Sequence, residues 1–390
     1  MVGFFQKNTL YFLKALSVFL GTIIGVGIFS LPFVASKAGF FITVFYFIII
    51  TIVTIILHFI YGKICAETET IHRLPGYVEK YLGKKYKKIA IFTTGFVLTG
   101  GLLSYLIVGG EFLKFLFGSY FGEDVLIYVL IFFAVGAYLI FKGIKSISKI
   151  GLAFFAVFLI ILFLFFLKAV PHINFANFQT MDLKFLVLPY GVILFSLWGF
   201  AIVPELKEMM INNYPDRNLD MKTKKKNLRK VQAYGIFLAS VIYLFFIFII
   251  FGVCGINTSK EALSGFNQIL GNGVIKLGFL FGIITCFTSF IALGLTLKKT
   301  LCYDFKISKN ISWFIACFFP LFLYLLGLKE FITIIGITGA VAIGIEYIII
   351  IFLYKAFLRQ KFSQKINPLF YILSLFFILG VVLEIFYFIK

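Results

Sequence analysis

Apolar runs of about twenty residues, separated by short polar stretches, follow one another along the whole chain. A helix needs about 20 apolar residues to cross a bilayer, and each run reaches that length. The pattern predicts eleven spans, near 10–36, 38–61, 89–117, 123–142, 149–168, 184–206, 230–254, 272–298, 311–327, 330–353 and 366–389. The first run is too long for a signal-peptide core, and no small-residue cleavage site follows it. The expectation is an all-α polytopic membrane protein.

Composition agrees. Of 390 residues, 62% are hydrophobic and 13% charged, and mean hydropathy is +1.06. Soluble domains carry about 25% charged residues. A soluble enzyme, a secreted disulfide scaffold and a nucleic-acid-binding domain are thereby excluded. The net charge of +20 matters through its placement. With the N-terminus in the cytoplasm, the inside segments hold 28 of the 36 Lys and Arg and the other side holds 8. Cytoplasmic loops carry the positive excess. The N-terminus is therefore expected inside and the C-terminus outside, in a cell membrane. The lipid bilayer is the partner implied, and no nucleic acid is needed. The longest basic stretch, 207–230, contains Lys222, Lys224, Lys225, Lys226, Arg229 and Lys230. It reads as a topology determinant beside anionic lipid, with a regulatory or lipid-head-group site as the alternative. The cysteines (Cys65, Cys254, Cys286, Cys302, Cys317) show no metal-ligand spacing and read as packers or free thiols.

Two spans carry helix breakers in matching places. Span 1 holds Gly21, Gly25 and Gly27, then Pro32. Gly21 and Gly25 suit close helix packing, but Gly27 lies nearly opposite Gly25, so one packing face cannot use all three. Span 6 holds Pro189 and Gly191, then Ser196 and Gly199, then Pro204. Both are expected to be interrupted within the membrane. Spans 1–5 (10–168) and spans 6–10 (184–353) are five-helix blocks of nearly equal length, each opening on its broken helix. Five being odd, the second block is inverted; 366–389 is an additional helix. Paired interruptions of this kind point to a transporter's binding site. Half-helix N-termini offer N–H groups to an anion, and freed carbonyls suit an ammonium or a cation, which together fit an amino acid zwitterion.

Gly21-Thr22-Ile23-Ile24-Gly25-Val26-Gly27-Ile28-Phe29 resembles the first-helix signature of the amino acid–polyamine–organocation superfamily. The segments Leu103 to Glu111 and Trp198 to Glu205 are similar to prokaryotic amino acid/auxin permeases. Thr288-Ser289-Phe290 with Leu293-Gly294-Leu295 resembles the aromatic amino acid permease branch. The resemblance covers spans 1–10 and implies a LeuT-type 5+5 inverted-repeat transporter fold. It also implies an amino acid substrate, aromatic or otherwise neutral. By that resemblance, the backbone at Gly25, Val26 and Gly27 holds the substrate carboxylate. Carbonyls at Thr22 and Ile23, with those near Phe195 and Ser196, take the amino group. Trp198 and Phe200 face the side-chain pocket, and Tyr105 reaches the carboxylate; ordinary core or lipid-facing packing is the alternative for these aromatics.

No cofactor is expected beyond a coupling ion, Na+ or H+. Thr285, Thr288 and Ser289 share one helix face. In sodium-coupled relatives this face and two span-1 carbonyls, here those of Gly21 and Ile24, form a sodium site. Interhelical hydrogen bonding is the alternative. Glu346 lies well inside span 10 and is the candidate proton carrier. Glu111, Glu205, His58 and Glu384 lie nearer span ends, where an interfacial position is expected. Some proton-coupled relatives carry a lysine in mid span 5, and 150–167 contains none. Glu67, Glu69 and His72 offer metal-ligating types at unspecific spacing.

The expected function is secondary active amino acid transport by alternating access, as a cation symporter and not an enzyme. A transporter-fold receptor or sensor is the alternative, ahead of a membrane-embedded enzyme, for which the short basic loops supply no acidic or histidine cluster. The charge split makes one outcome checkable: a reporter fused after Lys390 is active only if it works outside the cytoplasm. Cytoplasmic activity would make the span count wrong by one.

Overall fold

The computed structural model describes residues 2–143, 151–214, 219–270 and 272–389. Span 1 is two helices, α1 (Val2–Ile23) and α2 (Gly27–Ala38), bent by 55°. Next come α3 (Phe40–Glu67), a short α4 (Leu74–Leu82), α5 (Lys84–Phe121), α6 (Val125–Lys142) and α7 (Gly151–Ala169). Span 6 is again broken, into α8 (Leu188–Ser196) and α9 (Val203–Lys207). Then follow α10 (Met221–Cys254), a short α11 (Leu263–Leu270), α12 (Asn272–Asp304) and α13 (Lys309–Leu325). Span 10 is α14 (Phe331–Ile337) and α15 (Gly344–Phe362), joined through a wide π-type turn, Thr338–Ile343; α16 (Leu369–Ile389) is last. Among the described residues, nine helical segments are long and apolar enough to cross a membrane and the bent pair makes a tenth. The 17-residue α13 completes the expected eleven.

Three features differ from the expectation. Span 7 begins at Met221 rather than near 230, because Asp220 caps the helix, accepting from the Thr223 N–H at 3.2 Å. Lys222 to Lys230 are therefore helical rather than loop. The short helices α4 and α11 fall between the second and third spans of each five-span run, where polar residues mask their apolar faces from a span-length reading. The π-type turn in span 10 has no breaker other than glycine to announce it. The predicted start of span 5 at 149, residue 150, and 215–218 of the basic stretch lie outside the described residues.

Prolines open the re-started helices: Pro189 and Pro204 occupy the first turns of α8 and α9, where a missing N–H costs nothing. Gly39 turns the chain between α2 and α3 with φ 109°, and a Cβ there would lie 2.7 Å from the Thr180 carbonyl oxygen. Outward faces are apolar, as lipid requires: Phe41, Phe45, Ile48 and Ile52 form an exposed stripe along α3.

The tightest crossing is that of α8 on the wide turn of span 10. A Cβ on Gly339 would strike the Gly191 carbonyl oxygen, and one on Gly191 would strike the Gly336 carbonyl oxygen. Backbone against backbone cannot yield. Gly339→Val should therefore lower stability by about 2–3 kcal/mol. Gly95→Ala, with nothing within 4 Å of the new methyl, should be neutral or slightly stabilising. Thermal unfolding in detergent distinguishes the two.

Candidate functional site

The two breaks meet in the middle of the protein. Span 1 loses its helix at Ile24–Val26, where the Gly25 N–H turns to the Ile23 carbonyl at 2.9 Å. Span 6 loses it after Ser196, and Trp198 N–H folds back to the Phe195 carbonyl at 3.2 Å. A Cβ on Gly27 would strike Ser196 Oγ and lie 3.0 Å from Ser196 Cα, so only glycine permits this approach. A Cβ on Gly25 would strike the Tyr105 hydroxyl, which also faces the Val26 backbone and the Ser289 side chain. Thus Gly25, Val26, Gly27, Tyr105 and Ser196 converge.

Ile23 and Ser196 are the last residues of α1 and α8, so their carbonyls lie at negative helix ends. Both are reached by one side chain that sequence reasoning missed. The hydroxyl of Tyr243, on α10 and fully buried, lies 2.8 Å from the Ile23 carbonyl and 3.0 Å from the Ser196 carbonyl. The signal was available: a tyrosine deep in an apolar run needs a partner for its hydroxyl. Gly27, by contrast, opens α2, whose positive end faces the same crossing. Carbonyl oxygens thus face the crossing from one side and the N-terminal end of α2 faces it from the other.

Trp198 and Phe200 turn elsewhere than toward the glycines of span 1. Trp198 Nε1 donates to Glu346 Oε2 at 3.0 Å, and Thr94 Oγ1 on α5 donates to Glu346 Oε1 at 2.7 Å. Phe200 stacks on His58 with ring centroids 3.9 Å apart and packs against Tyr61 and Tyr347. Trp198, Phe200 and Glu346 border one small cavity of about 30 Å³, which also touches Arg73 and Thr300. That volume holds one water. Glu346 is buried as predicted, and its attachment to the span-6 break is new. Phe195 is half-buried beside the crossing.

A second cavity, of about 240 Å³, begins at Thr22 and extends along α1, α7 and α12 on the N-terminal side of the break. Gly21, Ile24, Thr285, Thr288 and Ser289, the five candidate sodium ligands, all line it. So do Phe155, Phe158 and Phe281, the last two stacked at 5.3 Å. Thr22 and Thr288 each donate to a carbonyl of their own helix, those of Val18 and Thr285, which leaves the hydroxyl oxygens as acceptors. On the opposite side of the break, aromatic rings close the protein: Phe29 on Phe112 at 4.9 Å, Phe112 on Phe279 at 5.3 Å, and Phe115 stacked on Phe279 at 3.8 Å.

Two side chains expected at the interface are instead buried. His58 and Glu384 are 0% exposed. The broken span 6 draws His58 inward, where Nδ1 donates to the Thr54 carbonyl at 2.9 Å while Phe19 and Phe200 pack on the ring. Glu384 is covered because α16 lies across α8 and span 10. Glu111 is exposed, and Glu205 is half-exposed and pairs with Arg73. Glu67 takes Lys225 at 2.5 Å and also pairs with Lys361; His72 Nε2 meets Thr70 Oγ1 at 2.7 Å. Among the described residues, no group of three or more His, Cys, Asp or Glu could hold a metal. Lys207 donates to the Thr68 carbonyl at 2.5 Å, and Arg73 to the Ala201 carbonyl at 2.9 Å. On α4, Glu79 accepts from Lys87 at 2.7 Å, which holds its carboxyl below the usual range.

This arrangement has counterparts among known proteins. The nucleobase-cation-symport-1 family transporter Mhp1, in a closed conformation with bromovinylhydantoin bound, superposes with a TM-score of 0.68. The match is 13% identical and covers 97% of this chain and 91% of that one. The Eremococcus coleocola manganese transporter gives a TM-score of 0.67 at 11% identity, covering 98% of this chain and 86% of that one. Those similarities show the LeuT-type fold. In sequence, the tyrosine-specific transport system 1 of Haemophilus influenzae (strain ATCC 51907 / DSM 11121 / KW20 / Rd) is 26% identical over 313 residues, 75% of this chain and 73% of the relative. The family match runs from residue 8 to residue 389. A multi-pass membrane protein with two helices broken at one central crossing, and a transporter rather than an enzyme, the chain belongs to the tryptophan/tyrosine permease family.

Proposed function

We propose that this protein carries aromatic amino acids, tyrosine foremost, across the cell membrane as a cation-coupled symporter working by alternating access. The observation that carries the reading is the crossing of the two breaks at Gly27 and Ser196. The substrate carboxylate is held by backbone N–H groups at Val26 and Gly27, at the positive end of α2, beside Gly25, whose own N–H turns to the Ile23 carbonyl. The ammonium is held by carbonyls at Thr22, Ile23, Phe195 and Ser196, sharing two of them with Tyr243. Tyr105 stands beside the carboxylate. The 240 Å³ cavity that starts at Thr22, bordered by three phenylalanines, has room for an aromatic side chain. The tyrosine-specific relative supports the substrate class.

The same geometry supports alternating access. With the N-terminus inside, as the charge split implies, the rings that close the α2 side and the large cavity on the N-terminal side support a state facing the cytoplasm. The two blocks, 10–168 and 184–353, act as inverted repeats with 366–389 added. The matching positions of α4 and α11 support that division.

For coupling, Glu346 is the better supported carrier. Its two oxygens accept from Thr94 and from Trp198, which belongs to the broken segment itself. A proton on this carboxyl would weaken its hold on Trp198 and so change the break. A sodium reading stands beside it, because Gly21, Ile24, Thr285, Thr288 and Ser289 line one cavity and supply hard oxygen donors.

Two measurements test this. Gly27→Leu should abolish tyrosine binding, read as loss of ligand-induced thermal stabilisation, in protein that still inserts but, with Ser196 pushed away, unfolds at a lower temperature. Normal uptake by that variant would sink the site. In proteoliposomes, Glu346→Gln should lose uptake driven by an imposed pH gradient by more than about tenfold, and Thr288→Val with Ser289→Ala should retain it. Sodium-stimulated uptake lost in the double variant and kept in Glu346→Gln would reverse the assignment.

A further inference from the structure

Glu384 belongs to α16, outside both five-span blocks, in a helix whose outward residues Leu379, Leu383 and Phe386 are exposed as lipid-facing groups are. Its own side chain is 0% exposed and turns inward, to the notch between α8 and α14. Glu384 Oε1 lies 2.7 Å from where a Cβ on Gly191 would stand and 3.2 Å from one on Gly336. The Gly336 carbonyl oxygen points into the same notch.

Neither carboxyl oxygen of Glu384 has a hydrogen-bond partner among the described residues, and neither does the buried Tyr190 hydroxyl nearby. The titratable groups that face Glu384 are tyrosines: Tyr190 on α8, Tyr46 on α3 and Tyr387 on its own helix, with Tyr347 of α15 facing Tyr190. The segment 331–343, α14 and the wide turn, carries no titratable residue. Among the described residues, no cation pairs with the carboxyl there. The contrast with Glu346 is sharp, since both oxygens of that residue accept a hydrogen bond.

An ionised carboxylate with no donor inside a membrane protein costs several kcal/mol. A neutral carboxylic acid has one O–H to give, and an acceptor carbonyl faces the same notch. We propose that Glu384 is a second proton-binding site of the transporter, loaded in this conformation while Glu346 is empty. The proton comes from water on one face and returns to water on the other. Tyr190 supplies the donor that steadies the ionised form once α8 shifts against α16. The two carboxyls then flank span 6, Glu384 against α8 before the break and Glu346 on Trp198 within it.

This inference rests on the proton-coupled reading, and the test separates the two. Full-length protein is reconstituted in proteoliposomes, with membrane potential clamped to zero and labelled tyrosine as the probe. Wild type, Glu384→Gln and Glu384→Leu are compared in tyrosine counterflow without a gradient and in accumulation under one unit of imposed pH difference. Both variants mimic the neutral state, so counterflow should stay within about twofold. Accumulation should fall about tenfold, the value of one proton per unit of pH. Wild-type accumulation in both variants would overturn the proposal. Loss of counterflow in both, with the protein folded, would overturn it too by making Glu384 part of translocation itself. Wild-type counterflow without any response to pH would remove the proton role and keep tyrosine transport; absence of wild-type tyrosine counterflow would remove the transport reading instead.

Discussion

A helix broken inside a bilayer leaves N–H and C=O groups that no water can reach, and the structure is organised around satisfying them. The carbonyls of Ile23 and Ser196 end two half-helices at one point, and the single hydroxyl of Tyr243 reaches both. The Ile23 carbonyl also accepts from the Gly25 N–H at 2.9 Å, so it is the Ser196 carbonyl that depends on Tyr243, whose one phenolic proton is divided between the two.

The requirement spreads outward from that point. For the breaks to touch, Gly27 must accept Ser196 without a side chain, and Gly25 must accept Tyr105. For α8 to lie there, Gly191 must accept span 10, whose π-type turn brings Gly336 and Gly339 against it. That turn sits directly before Glu346, whose carboxyl then reaches Trp198 in the second break. A chain of close approaches thus links the crossing of the two breaks to a buried carboxyl.

Much of this was legible in the amino-acid sequence, for physical reasons that differ by feature. Span length follows from bilayer thickness, so all eleven apolar runs could be read directly. The breaks were legible because three glycines in seven residues, or Pro189 and Pro204 around Ser196 and Gly199, fit no continuous helix. The grouping of Gly21, Ile24, Thr285, Thr288 and Ser289 came from a family resemblance, and one cavity gathers them. What was illegible depends on rotation about a helix axis after a break. Nothing in Trp198-Gly199-Phe200 says that the indole turns to Glu346 and the phenyl ring to His58. Depth misled for His58 and Glu384, since a position near a span end is interfacial only if no neighbouring helix lies over it. Tyr243 was overlooked among many aromatics, although its hydroxyl sets it apart from the phenylalanines that follow it.

The two sides of the crossing are held by different chemistry. Above α2 the closure is ring on ring, Phe29, Phe112, Phe279 and Phe115, so parting it exposes apolar surface but strands no polar group. On the N-terminal side the links are polar. Arg73 holds Glu205 and the Ala201 carbonyl, Lys207 holds the Thr68 carbonyl, and Lys225 and Lys361 share Glu67. Lys207 is almost fully buried, and releasing it would leave an uncompensated charge in the interior. These bonds join α3, α4, α9, α10 and α15 into one body. The large cavity lies between α1, α7 and α12, none of which the polar links include. The polar links therefore tie together elements on one side of that cavity, and α1 is joined to them through the bond from Tyr243 on α10 to the Ile23 carbonyl.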